Sequence, residues 1–243
     1  MKKRFAAFVS TVLAAVLCAC SAAPKDVLPN KAAQPTEAPT QQVQTTQAAP
    51  TEQPTPEPDL VQQLLEEMTL EQKVGQIFLA RPDSLDLSQT QDQINDAKAD
   101  GVTELTDAMR QTLAEYPVGG VVIFGKNLES PQQITQFLDD LQQASDTPLF
   151  TAIDEEGGLV ARLANNAAFD LPQYESAAAV GTSGNPEDAR AMGRTIGGYL
   201  KEYGFNLDFA PVADVNTNPD NPVIGTRAFS SEPQTAADLV GGA

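Results

Sequence analysis

Gly119 to Gly125 reads Gly-Gly-Val-Val-Ile-Phe-Gly, an unbroken apolar run held between glycines. A strand with water on one face alternates apolar and polar side chains. A strand that is apolar at every position is covered on both faces, as in parallel sheets. Pro148 to Ile153, Pro-Leu-Phe-Thr-Ala-Ile, has nearly the same character. Helical patterns lie between such runs, and alternating strands and helices indicate parallel β/α units. The chain is therefore expected to be an α/β protein.

Further helices and strands fill in this frame. Asp59 to Met68 places Leu60, Leu64, Leu65 and Met68 on one helical face. Thr69-Leu70-Glu71-Gln72 has the spacing of a capping box. The first strand is expected over Gln76–Ala80. The polar, acidic stretch from Asp83 to Pro117 reads as a surface insertion with one helix over Leu105–Tyr116. Ser130-Pro131 opens a helix in which Ile134, Phe137, Leu138 and Leu141 follow the i, i+3, i+4, i+7 spacing. Asn185-Pro186 opens another, with Met192, Ile196 and Leu200 facing inward and Gly204 placed as its C′ glycine. A fourth strand is expected over Phe205–Val215, and Ser231-Glu232-Pro233 opens a last helix.

The first 58 residues read differently. Lys2, Lys3 and Arg4 form a basic region before the apolar run Phe5–Leu17, which is too short to cross a membrane as a helix. Leu17-Cys18-Ala19-Cys20 matches a bacterial lipobox, so residues 1–20 are expected to be a lipoprotein signal peptide and Cys20 the lipidated residue. An ordinary signal peptide cut after Ala19 or Ala23 is the alternative. Residues 21–58, rich in Ala, Pro, Thr and Gln, hold too little apolar surface to offset ordering entropy and read as a disordered tether. The expected location is extracytoplasmic, anchored to the bacterial cell membrane.

Composition narrows the chemistry. The chain carries 33 acids against 15 bases, a net charge of −18, which argues against nucleic acid as a partner. It has no histidine, which removes the commonest zinc ligand and general base. With Cys18 lost with the signal and Cys20 acylated, no thiol is left for a disulfide or a metal. No cofactor and no metal are expected.

Residues 153–163 read Ile-Asp-Glu-Glu-Gly-Gly-Leu-Val-Ala-Arg-Leu. The third strand thus runs into Asp154, the chain turns on Gly157-Gly158, and Arg162 follows close behind. A carboxylate accepts and a guanidinium donates, a pairing that suits the vicinal hydroxyls of a sugar. The plain alternative is a turn whose charges face water. Chemistry in parallel barrels sits at the carboxyl ends of strands, where Asp154 and, near the end of the fourth strand, Asp214 are expected.

The block resembles the Asp-x-Glu-Gly-Gly-x-Val-x-Arg signature of family 3 glycoside hydrolases, in the bacterial β-N-acetylhexosaminidase branch. Four more stretches match that family in order: Met68–Gln76, Gly119–Asn127, Gly204–Val215 and Asn221–Phe229. The resemblance implies the N-terminal part, about four β/α units, of a (β/α)₈ barrel over residues 59–243. It also implies that Asp154, Arg162 and Arg227 hold the hydroxyls and N-acetyl sugar of the substrate. Asp214 is not read as catalytic, since a strand-end aspartate as often caps the next loop. Glu155 and Glu156 are not an acid/base pair, because adjacent side chains on extended backbone point apart. Glu156 is expected to order the glycine turn. Two departures touch subsite detail: Glu155 stands where the family more often carries His or Gln, and Phe229-Ser230-Ser231-Glu232-Pro233 replaces a more usual Phe-Gly-x-Asp-Pro.

The resemblance implies a retaining hydrolase of terminal β-N-acetylglucosaminide bonds, in peptidoglycan fragments or chito-oligosaccharides. Such an enzyme needs a nucleophile and a proton donor. In this family these are a late aspartate and a histidine, so no catalytic residue is assigned within the 243 and the chain alone is expected to be inactive. It reads as a piece that ends mid-barrel; a natural half-barrel is the alternative. A β-glucosidase or β-xylosidase of the same family is the enzymatic rival, disfavoured by Asp154-Glu155-Glu156-Gly157-Gly158 and by the lack of tryptophan. A sugar-binding lipoprotein without catalysis is the rival of another class.

Overall fold

The computed structural model describes residues 59–243. The signal segment 1–20, with Cys20, and the tether 21–58 lie outside the described residues. The Asp59 carboxylate accepts from the N–H groups of Val61 and Gln62 and opens α1 (Leu60–Glu67). Thr69 and Gln72 exchange both capping-box hydrogen bonds at the start of α2 (Leu70–Gly75). Then come β1 (Leu79–Ala80), α3 (Pro82–Leu85), α4 (Gln91–Asn95) and α5 (Asp107–Glu115). β2 (Gly120–Ile123) leads through a 3₁₀ turn at Gly125–Asn127 into α6 (Pro131–Gln143), capped by Ser130. β3 (Phe150–Ile153) runs into a small hairpin of β4 (Glu155–Gly157) and β5 (Val160–Ala161), then α7 (Ala177–Gly181) and α8 (Pro186–Glu202). β6 (Leu207–Asp208), a 3₁₀ turn at Gly225–Arg227 and α9 (Pro233–Gly242) follow.

β1, β2, β3 and β6 form one sheet in that spatial order, every pair parallel. Its middle strands are the two apolar runs: Val121, Ile123, Ala152 and Ile153 are all fully buried. Ile134, Phe137, Leu138 and Leu141 of α6 are buried too, as their spacing predicts, and so are Met192, Ile196 and Leu200 of α8. Burying one such side chain contributes about 1.5–3 kcal/mol. Gly204 follows the end of α8 in the left-handed region, as a C′ glycine does.

Three expectations are corrected, those for the first strand, the fourth strand and the stretch 83–117, and α1 adds an observation of its own. The first strand is two residues long, because Gln76–Phe78 finish the preceding helix: Ile77 N–H donates to the Val74 carbonyl and Phe78 N–H to that of Gly75. The fourth is Leu207–Asp208 only, since β6 has a single neighbour and Pro211 has no N–H for a ladder. The apolar face of α1 is not covered among the described residues; Leu60 and Leu64 stay 68% and 57% exposed. The stretch 83–117 is not a surface insertion. Leu85, Ile94, Val102, Met109 and Leu113 are buried, and Asp83 is fully buried as well. The Asp83 carboxylate accepts from Val102 N–H and Asn127 Nδ2 at 3.1 Å and meets Lys126 Nζ at 3.2 Å, which fastens the segment to the loop after β2.

Candidate active site

Because the strands are parallel and nearly in register, their carboxyl ends share one side of the sheet. Arg81 follows β1, Phe124 follows β2, Asp154 follows β3, and Asp208 ends β6. Arg81 and Arg162 both lie over the Phe124 ring, at 4.7 and 5.8 Å from its centre. The glycine pair carries the hairpin back on itself, with φ +82° at Gly157 and +69° at Gly158. That brings Arg162 back to the strand end, where its Nη2 donates to Asp154 Oδ2 at 3.0 Å. Both side chains keep part of their surface open, 33% for Arg162 and 27% for Asp154. An acceptor and a donor are thus held together and remain reachable.

Arg227 joins this rim through a different residue. Its Nε and Nη2 donate to the two oxygens of Glu156 at 2.7 and 2.6 Å, and its Nη1 donates to the Val223 carbonyl at 3.2 Å. The hydrogen bond to Glu156 raises the Arg227 pKa most, burial opposes it, and Glu156, Asp154 and Asp214 add attraction. Glu156 therefore holds Arg227 instead of ordering the glycine turn. The correction has a simple cause: Asn165 Nδ2 donates to the Gly158 carbonyl and so braces the turn, while a guanidinium 71 residues away offers a fork that fits the Glu156 carboxylate.

Glu155 is fully buried, unlike the partly open Asp154 beside it. It accepts from Leu163 N–H and Ala164 N–H at 2.9 Å and from the Tyr199 hydroxyl at 2.8 Å. Asp214 lies past the shortened fourth strand and is exposed; among the described residues its carboxylate accepts no hydrogen bond. The strand-end aspartate is instead Asp208, which accepts from Glu155 N–H at 2.9 Å. Burial pushes Asp208 up to about 6; the Glu155 N–H bond opposes this, and Glu155, Asp154 and Glu156 reinforce it. Sequence reasoning missed Asp208. The available signal was its place directly after Leu207 at the start of the Leu207-Asp208-Phe209-Ala210-Pro211 run.

A hollow of about 190 Å³ opens beside these groups, with Glu155, Glu156 and Asp208 on one wall and Met192, Ile196 and Phe229 on another. A larger one, about 660 Å³, lies at the opposite end of the sheet against Leu70, Val74, Phe78 and Tyr116, and no guanidinium lines it. Among the described residues no group of three or more His, Cys, Asp or Glu side chains is placed to hold a metal ion. What the rim offers is an acceptor held beside donors, a set whose chemistry suits hydroxyl groups.

The sequence model of the glycosyl hydrolase family 3 N terminal domain matches residues 69–242. The chain belongs to glycoside hydrolase family 3. Beta-hexosaminidase A of Pseudoalteromonas piscicida is 36% identical over 143 residues, which cover 57% of this chain and 24% of that protein. Beta-hexosaminidase of Nitrosomonas eutropha is 35% identical over 141 residues, covering 56% of this chain and 40% of that one. A solved family 3 beta-N-acetylglucosaminidase from Paenibacillus sp. str. FPU-7 superposes with a TM-score of 0.60 at 33% identity, over 72% of this chain and 30% of its own. The chain thus matches well under half the length of these relatives. Its fold is the N-terminal part of a family 3 α/β barrel, and the sheet is open among the described residues.

Proposed function

We propose that the whole protein is a retaining glycosidase that removes terminal β-linked N-acetylglucosamine from peptidoglycan fragments or chito-oligosaccharides, and that residues 59–243 supply part of its sugar grip. The observation that carries this is the partly open Asp154–Arg162 pair at the carboxyl end of a parallel strand. Family membership and relatives named as hexosaminidases support the choice of sugar. Asp154 accepts from one hydroxyl and Arg162 donates to its neighbour, while Arg227, braced by Glu156, holds the sugar from the facing loop. These groups orient a ring; they do not cleave a bond. Cleavage needs a nucleophile and an acid/base group, and the 243 residues contain no histidine.

Assay of the whole protein on p-nitrophenyl β-N-acetylglucosaminide and on the matching glucoside tests the reading. Faster release from the glucoside would move the protein to the glucosidase branch. Sugar binding without any release would make it a binding lipoprotein. Residues 1–243 alone are expected to release no p-nitrophenol. We also propose a lipid anchor at Cys20 followed by the 21–58 tether, holding the enzyme at the outer side of the cell membrane; loss of acyl-chain labelling in a Cys20→Ala variant checks it.

A further inference from the structure

Glu155 is a buried carboxylate with no cation bonded to it among the described residues. Removing such a group from water is costly, and an apolar side chain of similar size would fill the space without that cost. What an apolar side chain cannot do is hold three donors at once. Oε2 takes Leu163 N–H, while Oε1 takes Ala164 N–H and the Tyr199 hydroxyl. Burial, with Glu155 itself reinforcing it, raises the Tyr199 pKa far above neutrality, so the phenol stays protonated and donates.

The chain positions of these contacts matter. Glu155 directly follows Asp154, and Leu163 directly follows Arg162. The clamp therefore lies one residue behind each member of the rim pair. The hairpin ladder gives weak support there: β4 and β5 share only two partnered positions, with a register shift between Glu155 and Gly157. The Glu155 carboxylate bridges the two chain segments where the backbone pairing ends. The carboxylate is anchored in turn by Tyr199 on the seventeen-residue α8, and the Glu155 backbone N–H by Asp208 at the end of β6.

We propose that Glu155 is a positioning residue: it sets the spacing of Asp154 and Arg162, and hence the grip on sugar, without touching the sugar. This rests on the reading of Asp154 and Arg162 as the hydroxyl-binding pair. A carboxylate suits this place, since a glutamine would offer one acceptor oxygen where Leu163, Ala164 and Tyr199 present three donors.

The test is a double-mutant cycle on the full chain, reading affinity for N-acetylglucosamine by NMR titration, with melting curves to confirm folding. Tyr199→Phe removes one anchor and little volume, and is expected to weaken binding about 3- to 10-fold; Glu155→Gln is expected to weaken it more. In an Asp154→Ala background, already weak, Tyr199→Phe is expected to have no further effect, because the clamp acts through the pair. Equal losses from Tyr199→Phe with and without Asp154, or no loss at all, would overturn the clamp and leave the pair standing. If wild-type chain does not bind, or Asp154→Ala binds as well as wild type, the sugar pair itself fails and the clamp falls with it.

Discussion

Arg227 clasps Glu156 across 71 residues of sequence, its Nε and Nη2 each meeting one carboxylate oxygen. The clasp ties the loop after β6 to the hairpin after β3, and so fixes one side of the rim. Both partners are mostly out of water, with 23% of the Arg227 side chain and 6% of that of Glu156 exposed. Breaking such a pair from one side leaves an unpaired charge, whereas replacing both partners often costs less. Glu156→Leu is therefore expected to destabilise the chain by about 2–4 kcal/mol. Adding Arg227→Met should recover at least half of that. Denaturant unfolding of the two single variants and the double decides it, and strictly additive losses would count against the clasp.

What the sequence disclosed follows from what is local. The caps at Thr69, Ser130 and Asn185 and the apolar strands Gly120–Ile123 and Phe150–Ile153 were legible, because each is specified by a few adjacent residues. Asp154 and Arg162 could be paired on paper because one hairpin separates them. Ile77 and Phe78 misled, since apolar residues beside an open sheet edge look like strand although they stay largely exposed. Asp83 misled in the opposite sense: an aspartate in an acidic stretch looks solvated until Lys126 and Asn127, more than forty residues on, are folded against it. Glu155 with Tyr199 and Glu156 with Arg227 were hidden for the same reason, being contacts over 44 and 71 residues.

The two glycines of the hairpin are not equivalent. Both have left-handed φ, so alanine at either is strained by about 1–2 kcal/mol. A Cβ on Gly157 would come within 2.4 Å of Met192 Cε, the far end of a flexible side chain that can swing away. A Cβ on Gly158 would meet the Glu175 carbonyl oxygen and Ser176 Cα, both at 2.8 Å, and backbone cannot swing. Gly158→Ala is expected to cost clearly more stability than Gly157→Ala. Urea midpoints of the two variants settle the order, and a reversed order would mean that the Met192 side is the rigid one.

Asp208 makes stability depend on pH in an unusual direction for a carboxylate. Its pKa rises from 3.8 to about 6, first through burial. Between those values the folded chain keeps a proton that the unfolded chain has already released. Where the folded state binds more protons, unfolding free energy falls as pH rises. The contribution of Asp208 is thus fully present below about pH 4 and is lost as pH climbs through 6. Asp208→Asn keeps an oxygen for the Glu155 N–H while removing the charge. Above pH 7 this variant is expected to be more stable than wild type by about 1–2 kcal/mol, after discounting for the part of the side chain that water reaches. Near pH 4 the two should converge. Urea unfolding of both proteins at pH 4 and pH 7.5 gives the comparison, and a constant gap at the two values would show that Asp208 does not titrate in this window.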